Sequence, residues 1–279
     1  MTKKFYFSCM FALLSSTLLW AETEVNVETA GTLPSLITSS DAQLKVTGVI
    51  NGTDIKFIRE LVVAGTVTSL DWSGVSIVAG GEAYTESYTT TANTIGEKMF
   101  YDCSKLQSMV LPQNTSVIRQ NAFARTGLSA IDIPNTVSQI GGDAFAYCEQ
   151  LSRVVVGSKV RSMGQGVFYS SPVKEAYVFP TTPPSITAYL FSSNPVIHVY
   201  ASALAAYQKS KWAEFGTLVG DLDDSEEITS VPSIPYEKEP NEEKGLTDSP
   251  VYDLFGRRVT EMRPGTIYIR NGRKISIAP

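Results

Sequence analysis

Histidine is almost missing from this chain: His198 is the one copy. A general base working near neutral pH is most often a histidine. No serine elbow, cysteine–histidine arrangement or metal-spaced His/Cys/Asp cluster compensates for the shortage. Phosphate-cradling loops are lacking too, because Gly80-Gly81 and Gly141-Gly142 have the setting of repeat turns. These gaps predict a protein that is not an enzyme and that holds no cofactor and no metal. The main part of the chain has no basic cluster, and its formal net charge is -5. An acidic chain of this kind excludes nucleic acid as the expected partner. Beyond residue 20 there is no apolar run long enough to span a bilayer.

The first residues are a separate matter. Lys3 and Lys4 precede an apolar stretch of 16 residues at 5–20, closed by the small Ala21. The stretch contains Ser8, Ser15, Ser16 and Thr17 and falls short of the roughly 20 residues a span needs. Residues 1–21 therefore read as a secretory signal peptide. The mature protein is then exported, with no transmembrane span. Removing Lys3 and Lys4 takes the net charge from -5 to -7.

What the chain does have is a ladder. Phe100, Phe123, Phe145, Phe168 and Phe191 follow one another at steps of 23, 22, 23 and 23 residues. Five residues before each stands an apolar partner: Ile95, Ile118, Ile140, Met163 and Ile186. Two ladders at one period mark a repeat architecture, with a length suited to one short strand and one return segment. Inward positions before a proline alternate, as in Leu106, Met109, Leu111 and Pro112, or Leu128, Ile131, Ile133 and Pro134. Period two gives a strand, and proline ends it. Cys103 and Cys148 hold equivalent places two repeats apart. Two strand spacings amount to roughly 10 Å, beyond the about 7 Å between Cα atoms that a disulfide tolerates. Both are expected as free, buried thiols.

Other segments take their roles from this frame. Residues 22–92 read as an N-terminal cap and first repeat. Leu44 and Val46 lie on a strand, Asn51 to Thr53 start a short helix over 54–61 with Ile55 and Ile58 inward, and residues 70–72 and 75–77 form a strand and its return. A cap is needed because an open solenoid end exposes apolar core. Residues 81–94 are polar and aromatic and read as a surface loop, where Tyr84 and Tyr88 offer an aromatic platform. Residues 93–220 hold the repeats and an amphipathic closing helix over 201–215, with Leu204, Tyr207, Trp212 and Phe215 on one face and Gly216 as its stop.

The pattern of Ile95-Gly96, Phe100, Cys103, Leu106 and Leu111-Pro112, repeated in Ile140-Gly141, Ala144-Phe145, Cys148 and Leu151, resembles the BspA-like leucine-rich repeats of secreted and surface proteins. Residues 52–59, 70–74 and 77–81 resemble the cap that precedes such repeats. The resemblance implies a right-handed solenoid, adhesion to surface proteins and no catalytic residues. The expected fold is thus mostly β, with short helical or irregular return segments and a small C-terminal β-hairpin module.

Residues 221–250 carry ten acids against Lys238 and Lys244, with four prolines, and read as an acidic linker. Residues 251–279 reverse sign to a net +4, and Asn271-Gly272 between alternating runs predicts a hairpin. Residues 252–259 and 265–269 are similar to the C-terminal sorting-type domains of Bacteroidetes exported proteins.

The candidate binding residues are those between inward positions on the strands. On the last repeats they are Arg153, Glu175, Tyr177, His198 and Tyr200, types common among interface anchors. Cross-strand pairing of Arg153 with Glu175 is the plainer explanation of two of them. The expected function is an exported binding or adhesion protein holding a protein or glycoprotein on the outer surface, in the medium or in the periplasm of a Gram-negative bacterium. The alternatives are a structural component of the cell envelope and a carbohydrate-binding protein.

Overall fold

The computed structural model describes residues 22–222, together with the backbone of four short strands further on, Val251–Asp253, Arg258–Val259, Ile267–Arg270 and Arg273–Ser276. The expected signal peptide at 1–21 and the expected acidic linker from residue 223 lie outside the described residues. The four late strands pair antiparallel, Ile267–Arg270 with Arg273–Ser276 across Asn271-Gly272.

Two parallel ladders run along the solenoid. The first begins with Glu22–Val27, Gln43–Ile50, Ser69–Ile77 and Ser108–Val110. It continues through Ala130–Ile133, Arg153–Val156, Glu175–Val178, Val196–Tyr200 and Thr217–Leu222. Ser129 N donates to Gln107 O at 3.3 Å and joins the two stretches. The second ladder consists of two-residue strands: Thr94–Ile95, Val117–Ile118, Gln139–Ile140, Ser162–Met163 and Ser185–Ile186. Its register pairs Ile95 with Ile118, Ile118 with Ile140, Ile140 with Met163 and Met163 with Ile186. The isoleucine column of the sequence is a hydrogen-bonded edge of the solenoid.

The phenylalanines fill the space between the ladders. Their rings stack with centroids 5.4, 5.2, 5.6 and 5.1 Å apart and interplanar angles of 9, 4, 19 and 10°. Trp72 lies off the period yet extends the stack into the cap, 5.3 Å from Phe100 at 58°. A third set of bonds ties the turns together here. Phe100, Phe123, Phe145 and Phe168 each donate their backbone N–H to the next turn, at Ala122, Ala144, Val167 and Leu190. The residues two before and two after take left-handed backbone, among them Asn121, Asp143, Arg125 and Tyr147. Alternating hands along the segment aim every second N–H at the next turn. Such conformations cost a non-glycine residue about 1–2 kcal/mol, and the inter-turn bonds hold them.

The cap differs from expectation in several places. Its helix runs Gly52–Ala64, longer than 54–61, with a capping box between Asn51 and Asp54 and left-handed Gly65 at its end. Residues 69–77 are one bulged strand, not a strand and its return. The register slips by one opposite Lys45 and Thr47, and Ser73 N donates to Asp71 Oδ1 at 2.8 Å in the bulge. Residues 81–94 contain a hairpin, Gly80–Thr85 with Tyr88–Thr90, in place of a loop. It lies against the helix, where Glu82 N donates to Thr53 Oγ1 at 3.0 Å. Gly52 has no room for a side chain, since a Cβ would come within 1.9 Å of Glu82 O.

The closing segment is also corrected. Residues 201–215 form a short helix, Leu204–Gln208, and a 3₁₀ turn, Lys211–Glu214. Ser210 breaks the helix by turning its hydroxyl to Trp212 N at 3.3 Å. Tyr207 and Trp212 are buried as the helical spacing predicts, and their polar tips donate to the carbonyls of Pro180 and Pro184 at 2.8 and 2.9 Å. Gly216 does not end the fold. Thr217–Leu222 pairs with Val196–Tyr200, so the helix and turn are the return segment of a further repeat.

Cys103 and Cys148 are buried free thiols. Burial pushes the Cys103 thiol up to about 11, against a weaker opposing pull from Arg59. The thiolate is the nucleophile, so Cys103 should resist alkylation at pH 8 in the folded protein and react once urea unfolds it; mass spectrometry of iodoacetamide-treated protein reads this directly. The sign for stability follows. The folded state holds this proton more tightly than the unfolded one, so stability falls as pH rises from 9 through about 11. Tyr84, raised to about 12 chiefly by burial, adds to the same alkaline loss.

Candidate functional site

The outward residues of the sheet are set in rows by the register. One row is Ala130, Arg153, Glu175, Val196 and Thr217; the next is Asp132, Val155, Tyr177, His198 and Val219. The register places His198 beside Tyr177 and Val196 beside Glu175. Tyr200 is accordingly beyond the row, its ring 5.9 Å from that of Phe179.

Polar and aromatic contacts link the turns. Arg153 donates to Asp132 Oδ1 at 2.8 Å, on the strand opposite to the one expected, and each side chain is about one-fifth exposed at 19%. Arg153 therefore pairs backwards, while Glu175 accepts the hydroxyl of Tyr177 at 3.1 Å. Burial pushes the Asp132 carboxyl up, and Arg153 offsets part of that shift. The Tyr177 and His198 rings stack at 4.5 Å and 8°. His198 Nδ1 lies 2.9 Å from Asp221 Oδ2, while its Nε2 is buried without a hydrogen-bond partner. Burial and the charge of Glu175 both push the Tyr177 phenol up.

The face is less open than outward pointing implies. Tyr177, His198 and Tyr200 are 6, 8 and 8% exposed, because ring–ring contact consumes the surface that alternation assigns to solvent. Arg153 and Glu175 are partly buried, less so than the three rings. Asp221 was missed as a member of the cluster because it falls in the acidic stretch. Its separation of 23 residues from His198, the repeat step itself, was the available signal.

The other aromatic candidate is lost. Tyr84 is buried and donates to Glu97 O at 2.8 Å, and Tyr88 donates to Glu97 Oε1 at 3.1 Å. They anchor the hairpin to the first repeat and form no open platform. Among the described residues no group of three His, Cys, Asp or Glu side chains is arranged to hold a metal, and no helix is long and apolar enough to cross a membrane.

Residues 85–198 match a family model described as the BspA type leucine rich repeat region, in six copies. No curated protein matches the chain significantly. Among solved structures, it is similar to the pneumococcal vaccine antigen PcpA at 11% identity and a TM-score of 0.32, over 57% of this chain and 31% of that one. It is similar to a leucine-rich repeat protein from Bacteroides ovatus at 16% identity and a TM-score of 0.33, over 63% and 45%. A leucine rich cell surface protein from Faecalibacterium prausnitzii aligns at 13% identity and a TM-score of 0.22, over 73% and 84%. The chain thus spans less than half the length of the first two.

Proposed function

We propose that this is an exported, non-enzymatic binding protein whose leucine-rich-repeat sheet holds a protein or glycoprotein ligand. The observation that carries the reading is a pair of linked groups on adjacent strands, Asp132 with Arg153, and Glu175 through Tyr177 and His198 to Asp221. Its side chains are locked by mutual contact before any ligand arrives, so binding costs little rotamer entropy. Arg153 and Glu175 present charges less buried than the stacked rings, which form a rigid floor. The BspA type repeats over 85–198 support an interaction role. The apolar leader and the sorting-type resemblance of residues 252–269 support export to the cell surface.

The test is a pull-down from surface and matrix protein extracts with the mature chain, followed by titration of the partner found. Arg153→Lys, which keeps a cation for Asp132, combined with Glu175→Gln, should weaken that partner at least tenfold while leaving the melting temperature within a few degrees. Unchanged affinity would remove the sheet face from consideration.

A further inference from the structure

The turn side of the solenoid carries a row of tyrosines that the sheet face does not explain. Tyr147, Tyr169 and Tyr189 are 41, 38 and 45% exposed, among the most exposed large side chains described. Their rings touch in sequence, 5.7 Å apart at 86° and then 5.1 Å apart at 57°. The Arg125 guanidinium caps the row, 4.9 Å from the centre of the Tyr147 ring. The backbone explains the placement. Tyr147 has φ 58°, which turns its side chain away from the core beside Phe145. Tyr169 follows Phe168, whose ring is in the stack, and so points the other way.

The row is tightly packed at one point of the backbone. The column that holds Lys98, Asn121 and Asp143 in earlier turns holds Gly166 in this one, at φ 62°. A Cβ there would come within 2.4 Å of Asp143 Oδ1, 3.0 Å of Tyr189 Cε2 and 3.4 Å of Tyr169 Cβ. Asp143, Tyr189 and Tyr169 therefore pack directly against Gly166, which is buried and leaves no room for a side chain. Burial alone pushes the Asp143 carboxyl up, with no neighbouring cation or donor offsetting it. Gln165, Ser170 and Ser192, on the same turns, are exposed polar residues.

These features favour a sugar over an apolar peptide. The row offers ring faces flanked by the charged Arg125 and Asp143, whereas the centre of a protein interface is depleted of charge and closely packed. A tyrosine face is electron-rich and attracts the positively polarised C–H bonds of a pyranose as it attracts the edge of another ring. Each step between rings is close to one sugar unit of an extended glycan. Successive sugars in such a chain are rotated against one another, as successive rings are here. A free carboxylate accepts hydroxyl protons and a guanidinium donates to ring and hydroxyl oxygens.

We propose that Tyr147, Tyr169 and Tyr189, with Asp143 packed beside Gly166 and Arg125 at one end, form a binding site for an extended neutral glycan chain. It is separate from the sheet face and does not rest on it. The test is native gel electrophoresis of the full mature chain in gels containing xylan, hydroxyethylcellulose or glucomannan. At least one polymer should slow the protein. Tyr169→Ala and Tyr147→Ala, both at exposed positions, should each weaken the retardation about tenfold, while Tyr169→Phe keeps it. Mobility unchanged by all three polymers would overturn the proposal, as would retardation that survives both alanine substitutions. Loss of a captured protein partner in Tyr169→Ala, with polysaccharide mobility unaffected, would also overturn it and assign the row to protein binding.

Discussion

Phe145→Ala should destabilise the protein by about 3–5 kcal/mol, the range for removing a buried phenylalanine. Phe145 is fully buried and stacked on both sides, at 5.2 Å from Phe123 and 5.6 Å from Phe168. The neighbouring turns cannot close on the gap. Their separation is set by the isoleucine ladder and by inter-turn bonds such as Phe145 N to Val167 O at 2.8 Å. The cavity term is therefore retained in full. Urea denaturation followed by circular dichroism measures the change. Lys159→Ala, at an exposed position outside the ladders, serves as the control and should stay within about 0.5 kcal/mol of the parent. A Phe145→Ala protein as stable as that control would show that the stack is not the organising core.

The second large effect belongs to the cap. Asp54 is completely buried, and its carboxylate accepts from three backbone N–H groups: Gly31 at 2.6 Å, Leu33 at 2.9 Å and Asn51 at 2.9 Å. One acid thus completes the capping box of the 52–64 helix and also ties the turn before Leu33–Leu36 to it. Asp54→Ala leaves one buried and two part-buried donors without this acceptor, and a fully buried unsatisfied group costs about 1–3 kcal/mol. A loss of about 3 kcal/mol or more is expected. Hydrogen exchange should show faster opening in residues 29–64 before the repeats over 95–199 respond, since the cap opens as a local unit. Uniform acceleration across the chain would mean that cap and repeats open together. Asp54→Asn keeps one acceptor oxygen and should lose less than the alanine variant.

Much of the frame was legible because solenoid geometry writes itself into spacing. Each turn must place one residue on the return ladder and one ring in the stack, so Ile140 and Phe145 recur with their partners at one step. Both thiols were legible for the same reason. The misses have a common cause: they depend on contacts between segments that no period relates. Residues 80–90 form a hairpin because the exposed start of the repeat stack and the 52–64 helix give it a surface, and Tyr84 is buried between them. Trp72 joins the stack from a bulged strand, 28 residues before Phe100 and off the period. The 217–222 strand follows a broken helix whose aromatic spacing imitates a continuous one.

The candidate sites divide in the same way. Alternation alone assigned Arg153, Glu175, Tyr177 and His198 to the outward face, and they are there. Their partners were not readable. Register between adjacent strands decides whether His198 meets Glu175 or Tyr177, and a shift of two residues leaves the alternation unchanged. Arg153 likewise had an acid on either side and took Asp132. The exposed tyrosines were hidden because left-handed backbone has no signature in residue type at Tyr147.

The sequence by itself determined a parallel, stacked architecture, its core columns, the side of the sheet that faces outward and the absence of a familiar catalytic set. These follow from periodicity, which acts within one turn and is copied to the next. Tertiary structure alone decided the register of the outward rows, the burial of Tyr177 and His198, the closing strand at 217–222 and the tyrosine row packed at Gly166. Those depend on how one turn is displaced against its neighbour and on backbone hand, and neither quantity is encoded in the spacing of apolar residues.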